Sequence, residues 1–171
     1  MVWKLRLFWY GLDKVALAVA LVLGVVVGAL AIAASAVFVQ RDAQAAAARD
    51  FEARNLECLA RNVYYEARGE SLAGQYAVAE VTMNRKSALG FPKTLCEVVY
   101  QKGAFSWTDE KVDQPGGVEW QRAVKVAEDT YHRRRAPVLQ GALYYHATYT
   151  RPAWAKERER VARIGAHVFY R

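Results

Sequence analysis

The chain has 171 residues, 24% of them charged, and a formal net charge of +7, which leaves room for one folded domain and an appendage but not for several domains. A basic balance suits an anionic polymer. The chain lacks a glycine-rich phosphate loop, zinc-type Cys/His spacing and an RNA-binding signature, so nucleic acid, metal and cofactor are all outside the expectation.

Residues 1–14 form a short basic N-terminus. Residues 15–39, "VALAVALVLGVVVGALAIAASAVFV", are 25 positions without a charge, where about 20 suffice to cross a bilayer core. Lys4, Arg6 and Lys14 come before this run, so the positive-inside rule keeps the N-terminus in the cytoplasm and exports the chain beyond Gln40. The sequence therefore predicts a retained single-pass anchor. A cleaved signal peptide is the competing reading, because Ala34-Ser35-Ala36 and Ala43-Gln44-Ala45 resemble cleavage sites, although the run exceeds the usual 7 to 15 apolar residues. Both readings export the domain. Ala20, Gly24 and Gly28 form a small-xxx-small ladder that either lets two such helices pair or is ordinary membrane filler.

Residues 40–54 are mostly Ala, Arg, Asp and Glu, and read as a helical or loose stalk. The folded unit is expected to start near Asn55. Leu56, Leu59, Ala60, Val63 and Ala67 recur at helical spacing with Gly69 as a stop, and a second helix fits Leu72 to about Ala88 with Val78 and Val81 inward. Thr94 and Glu97 have capping-box spacing before a short helix. "AFSWT", 104–108, reads as a strand, and the Pro-Gly-Gly segment to Gly117 as a loop. Trp120, Ala123, Val124, Ala127 and Tyr131 mark another amphipathic helix, with "HRRR" as its solvated basic end. "ALYYHATY", 142–149, and "RIGAHVFYR", 163–171, read as two strands that pair. An exported chain can keep a disulfide, so Cys58 and Cys96 are either bridged or two buried thiols.

Glu66 draws attention because it falls at the margin of the apolar stripe and is flanked by Tyr64 and Tyr65. Burial disfavours the charged carboxylate, which lets such a group hold a proton near neutral pH and protonate a glycosidic oxygen. A helix-end glutamate paired with Arg61 or Arg85 would give the same pattern.

Five blocks lie in order across about residues 57–171: "CLARNVYYEARGESLAGQYAVAEVTMNR", "FPKTLCEVVYQ", "FSW", "ALYYHA" and "IGAHVFYR". They resemble the successive blocks of the spore-cortex-lytic, SleB-like family of cell wall hydrolases. The resemblance implies an α+β, mainly α, lysozyme- or transglycosylase-like domain with a small β-sheet, preceded here by one N-terminal transmembrane helix. On this reading residues 55–171 are the catalytic domain, which acts on peptidoglycan glycan strands from the outer side of the bacterial inner membrane.

The same resemblance puts the catalytic acid at Glu66 and substrate contacts at Phe105, Ser106 and Trp107, at Tyr145 and His146, and at Trp154, with core packing as the alternative for each. His167 is expected to be structural and Glu70 to pair with an arginine. No second acid is evident, which favours a lytic transglycosylase using Glu66 as acid and then base over muramidase-type hydrolysis. A non-catalytic peptidoglycan-binding module would need the aromatics but not the acid. Exported members of the family often carry extra cysteines near the FS block, where this chain has Ala104 and Asp109, and that departure leaves Cys58 and Cys96 as mutual partners.

Overall fold

The structure, a computed structural model, describes the backbone from residue 2 to residue 171 and the side chains from residue 14 onward. It divides into two compact units, Met1–Arg49 and Asp50–Arg171. Helix α1 runs Val2–Ala67. In the first unit every described side chain is exposed, including the whole apolar run 15–39. Among the described residues, one helix is long and apolar enough to cross a membrane, and it is this one. A Cβ added at Gly24 or Gly28 would meet nothing within 4 Å.

The second unit is built around helix α2, Leu72–Ser87. Ser71 caps it by accepting from the Gly74 backbone N–H at 3.3 Å, which turns the chain directly after α1 ends. Every residue of α2 from Gly74 to Thr82 is buried, because the helix is covered on two sides. On one side Tyr76 and Ala79 join Leu59, Ala60 and Val63 of α1 and Ala123, Val126 and Ala127 of α4, Gly117–Tyr131. On the other, Ala77 and Val81 pack on Leu139, Ala142 and Phe169. Small side chains at Ala77 and Ala79 permit this double coverage.

Helix α3, Leu95–Val99, has the expected capping box of Thr94 and Glu97. It is tied to α1 by the Cys58–Cys96 disulfide, whose Cα atoms are 5.1 Å apart, and by the Leu95 N–H donating to Asn55 at 2.7 Å. Closing a loop with a separation of 38 residues restricts the unfolded chain, by about 4 kcal/mol in a chain-entropy account.

The sheet contains β1 (Tyr144–Ala147), β2 (Arg160–Ile164) and β3 (His167–Tyr170), all antiparallel, in the order β1-β3-β2. Two sequence expectations are corrected here. "RIGAHVFYR" is a hairpin rather than one strand: Gly165, at φ +56°, turns the chain between β2 and β3. The positive φ favours glycine there, and the Glu70 carboxylate packs against the space a Cβ would take and would have to move aside for one. "AFSWT" is extended only at Phe105, and Ser106–Asp109 is a 3-10 turn closed by Thr108 Oγ1 donating to the Phe105 carbonyl at 2.8 Å. Its alternation came from Phe105 and Trp107 both packing on Val99, which a tight turn achieves as well as a strand.

Candidate active site

Glu66 lies in the last turn of α1, and its surroundings depend on how α2 pins the segment leading into β1. Glu80 accepts the backbone N–H of Val138 at 2.9 Å and of Leu139 at 2.7 Å. Asn84 Nδ2 donates to the Leu139 and Ala142 carbonyls, and Arg85 Nε donates to the Leu143 carbonyl at 2.7 Å. Three polar side chains along α2 thus fix residues 138–143. The next residues are Tyr144 and Tyr145.

The sheet register then sorts the aromatic side chains. Tyr145 pairs with Phe169 and Ala147 with His167, so these four share one face, while Tyr144, His146 and Tyr170 point to the other. Tyr145 Oη donates to Glu66 Oε2 at 2.9 Å. The Tyr145 ring lies 5.6 Å from that of Phe169 and edge-on to His167 at 5.2 Å.

Around Glu66 opens a cleft of about 390 Å³ lined by Tyr65, Arg85, Ala104, Phe105, Ser106, Tyr145, His146, Ala147, Tyr149, Thr150 and His167. Among the described lining residues Glu66 is the only carboxylate. Burial pushes its carboxyl above the usual range, and the Tyr145 hydrogen bond and the Arg85 charge partly draw it back. Arg85 is itself buried, which lowers its basicity. Its guanidinium lies over the Phe105 ring at 5.2 Å and has no ion-pair partner within 4.0 Å among the described residues. Arg61, the other arginine considered as a partner for Glu66, is bonded to Glu57 at 3.0 Å.

A second cavity of about 280 Å³ lies beside Tyr76, Asn84, Arg133 and Arg135. Its one carboxylate is Glu80, already committed to the backbone of Val138 and Leu139. Among the described residues no free acid lines that cavity, so the Glu66 cleft is the better chemical site. Among the described residues, no group of three or more His, Cys, Asp or Glu is placed to hold a metal ion.

Of the residues expected to contact substrate, Phe105, Ser106, Tyr145 and His146 line the cleft. Two are corrected. Trp107 is buried, stacked on Tyr65 at 4.5 Å, with its indole N–H donated to Asn62 at 3.2 Å, so it belongs to the core. Trp154 packs near Tyr144, His146 and Tyr170 on the other face of the sheet, where Arg158 covers the Tyr144 ring. Among the described residues Glu70 does not have the expected arginine partner either. Glu70 accepts the Ala166 N–H at 3.2 Å and faces His167 Nδ1 at 3.7 Å.

Sequence reasoning names Arg85 only as an alternative pairing partner for Glu66 and takes His167 as structural, and both line the cleft. The signals are present: Arg85 continues the buried Val78–Val81 stripe at helical spacing, and His167 alternates with the core residue Phe169.

The Cell Wall Hydrolase family model matches residues 69–170, starting three residues beyond Glu66. The spore cortex-lytic enzyme of Bacillus subtilis is 30% identical over 120 residues, which is 70% of this chain and 38% of that protein. That of Bacillus cereus is 28% identical over 120 residues, 70% of this chain and 45% of that protein. The chain therefore spans less than half the length of these curated relatives. The crystallised catalytic domain of the Bacillus cereus SleB protein superimposes with a TM-score of 0.59 at 30% identity, covering 68% of this chain and 89% of that one. A catalytic domain described as a germination-specific lytic transglycosylase, SleB of Bacillus anthracis, gives the same score at 29% identity, covering 68% and 93%. A mainly helical domain with a three-stranded sheet, the matched blocks and these likenesses together establish that the chain belongs to the SleB-like Cell Wall Hydrolase family.

Proposed function

We propose that this chain cleaves peptidoglycan glycan strands between N-acetylmuramic acid and N-acetylglucosamine as a lytic transglycosylase, with Glu66 acting first as acid and then as base. The carrying observation is that Glu66 is the lone carboxylate among the described residues of its cleft. Hydrolysis by the common two-carboxylate routes needs a second acid about 5 to 9.5 Å away, as nucleophile or to activate water. The intramolecular route needs one.

In that route Glu66 gives its proton to the bridging oxygen, and the bond to the muramic anomeric carbon breaks as positive charge develops there. The resulting carboxylate takes the proton of the same sugar's 6-hydroxyl. O6 then closes onto the anomeric carbon to give a 1,6-anhydro ring, with no water consumed. Tyr145 holds Oε2, which leaves Oε1 to carry the mobile proton. Arg85 and Tyr145 favour the anionic form of Glu66, so they stabilise it once the proton has left, where charge develops. Likeness to a domain described as a lytic transglycosylase supports the reading.

Residues 15–39 serve as a retained anchor, residues 1–14 stay cytoplasmic and 40–54 are the stalk. The catalytic domain faces the wall from the outer side of the inner membrane, supported by the uncharged run and the basic residues before it. Fractionation with N-terminal sequencing separates this from a cleaved leader, which would start near Val37 or Ala46. Pairing of two copies through Ala20, Gly24 and Gly28 rests on that exposed small-residue ladder alone.

The decisive experiment is mass spectrometry of the products released from purified peptidoglycan. Anhydro-muramic ends are expected. Reducing muramic ends would replace the proposal with muramidase hydrolysis, and no release would leave a glycan-binding module.

A further inference from the structure

The turn between α1 and α2 and the hairpin between β2 and β3 meet through a contact that the proposed mechanism does not use. Glu70 accepts the Ala166 N–H, and its carboxylate packs against Gly165, whose φ of +56° favours glycine. The next residue is His167, only 8% exposed. Its Nδ1 is sealed from solvent and has no hydrogen-bond partner, and Glu70 Oε1 faces it at 3.7 Å. An apolar side chain would fill this position beside Phe169 without leaving a buried nitrogen unsatisfied. The histidine does something an apolar residue would not.

His167 lines the Glu66 cleft while Nδ1 is closed off on the Glu70 side. The ring edge available to the cleft is therefore the one carrying Nε2. The Glu70 carboxylate, 3.7 Å from Nδ1 and not hydrogen-bonded to it, favours by its charge the tautomer with the proton on Nδ1, which leaves the lone pair on Nε2. Of the other cleft side chains, Tyr145 Oη donates to Glu66, Tyr65 Oη to the Asp113 carbonyl and Thr150 Oγ1 to the Ala147 carbonyl, while Ser106 and Tyr149 add hydroxyls that can donate or accept. Arg85 offers only donors. A glycan brings hydroxyl and acetamido N–H donors into the cleft, and a neutral imidazole nitrogen offers them an acceptor that, unlike a hydroxyl, does not also donate.

We propose that His167 is a substrate-binding residue whose Nε2 accepts a hydrogen bond from a hydroxyl or acetamido N–H of the glycan strand, and that Glu70 is its positioning residue. This rests on the glycan-cleaving reading of the Glu66 cleft and names a subsite within it. Burial lowers the His167 pKa, Glu70 raises it and His146 lowers it, with Tyr145 the other titratable side chain packed on the ring. The imidazole is neutral at neutral pH, as an acceptor must be. Protonation on the acid side turns Nε2 into a donor and removes the bond.

The test measures binding rather than turnover, using the full-length Glu66→Gln protein in detergent and uncross-linked glycan strands. A wrong reaction type then leaves the result untouched, and the analysis of released products decides that question separately. His167→Phe in this background should weaken binding about tenfold and abolish the acid-side loss of affinity. His167→Gln, which returns a carbonyl acceptor near the Nε2 position, should bind within about threefold of the parent and show no acid-side loss. Glu70→Gln removes the charge that raises the His167 pKa, so the acid-side midpoint should move to lower pH. Unchanged binding by His167→Phe, with a melting temperature showing that it is folded, overturns the subsite. Should His167→Phe not fold, a His167→Gln protein that is folded yet binds tenfold more weakly overturns it instead. An unmoved midpoint in Glu70→Gln overturns the positioning role.

Discussion

Glu80 and Glu66 sit on adjacent helices, and each lines a cavity. Glu80 uses both oxygens on the backbone N–H groups of Val138 and Leu139, so its charge is absorbed in holding a loop. Glu66 receives one hydrogen bond, from Tyr145, and otherwise faces an open cleft beside a buried arginine. Burial is common to both. An acid differs from an anchor in having acceptor capacity left unspent where a substrate can reach it.

The largest effect that tests the contrast is on turnover. Glu66→Gln keeps the shape and the bond from Tyr145 but has no proton to transfer, so activity on peptidoglycan should fall by about 10²- to 10⁴-fold. Its unfolding midpoint should stay close to wild type. Near wild-type digestion by this variant would remove Glu66 from the mechanism.

Next in size is the mirror experiment. Glu80→Gln replaces a charged acceptor of two backbone N–H groups by a neutral one and should cost about 1.5–3 kcal/mol of stability, measured by urea unfolding. Activity per folded molecule should change by no more than a few-fold. If Glu80→Gln instead lost its activity at full stability, the division between anchor and acid would collapse.

The same contrast divides features written in local sequence from those that only long-range contacts create. Helix α2, the α3 capping box and the position of Glu66 are legible because local spacing and capping carry them. Glu80 does not stand out in the sequence, since its partners lie 58 and 59 residues away and no local pattern announces them. Trp107 and Trp154 are misplaced by sequence reasoning for a related reason: aromatic character is shared by grooves and cores, and only the sheet register and the Asn62 contact decide between them. The hairpin at Gly165 is hidden because "RIGAHVFYR" keeps a strand-like composition through the turn. Helical spacing points Glu70 toward an arginine, but α1 ends at Ala67 and the turn carries its side chain to the hairpin instead.

The smallest effect sharpens the comparison most, because it alters the one bond that Glu66 does have. Tyr145→Phe removes the hydroxyl and little volume, so the fold and the ring contacts with Phe169 and His167 should persist. The lost bond stabilised the carboxylate form of Glu66, so its pKa should rise further above the ordinary value. Since the mechanism starts from protonated Glu66, the acid-competent form then survives to higher pH, and the alkaline limb of the kcat/KM profile should move upward. At the optimum the loss should be less than about tenfold, the scale of one hydrogen bond. An alkaline limb that moves down, or stays in place while activity drops, would mean that Tyr145 contacts the substrate rather than tuning the acid, and Glu66 would then owe its proton to burial alone.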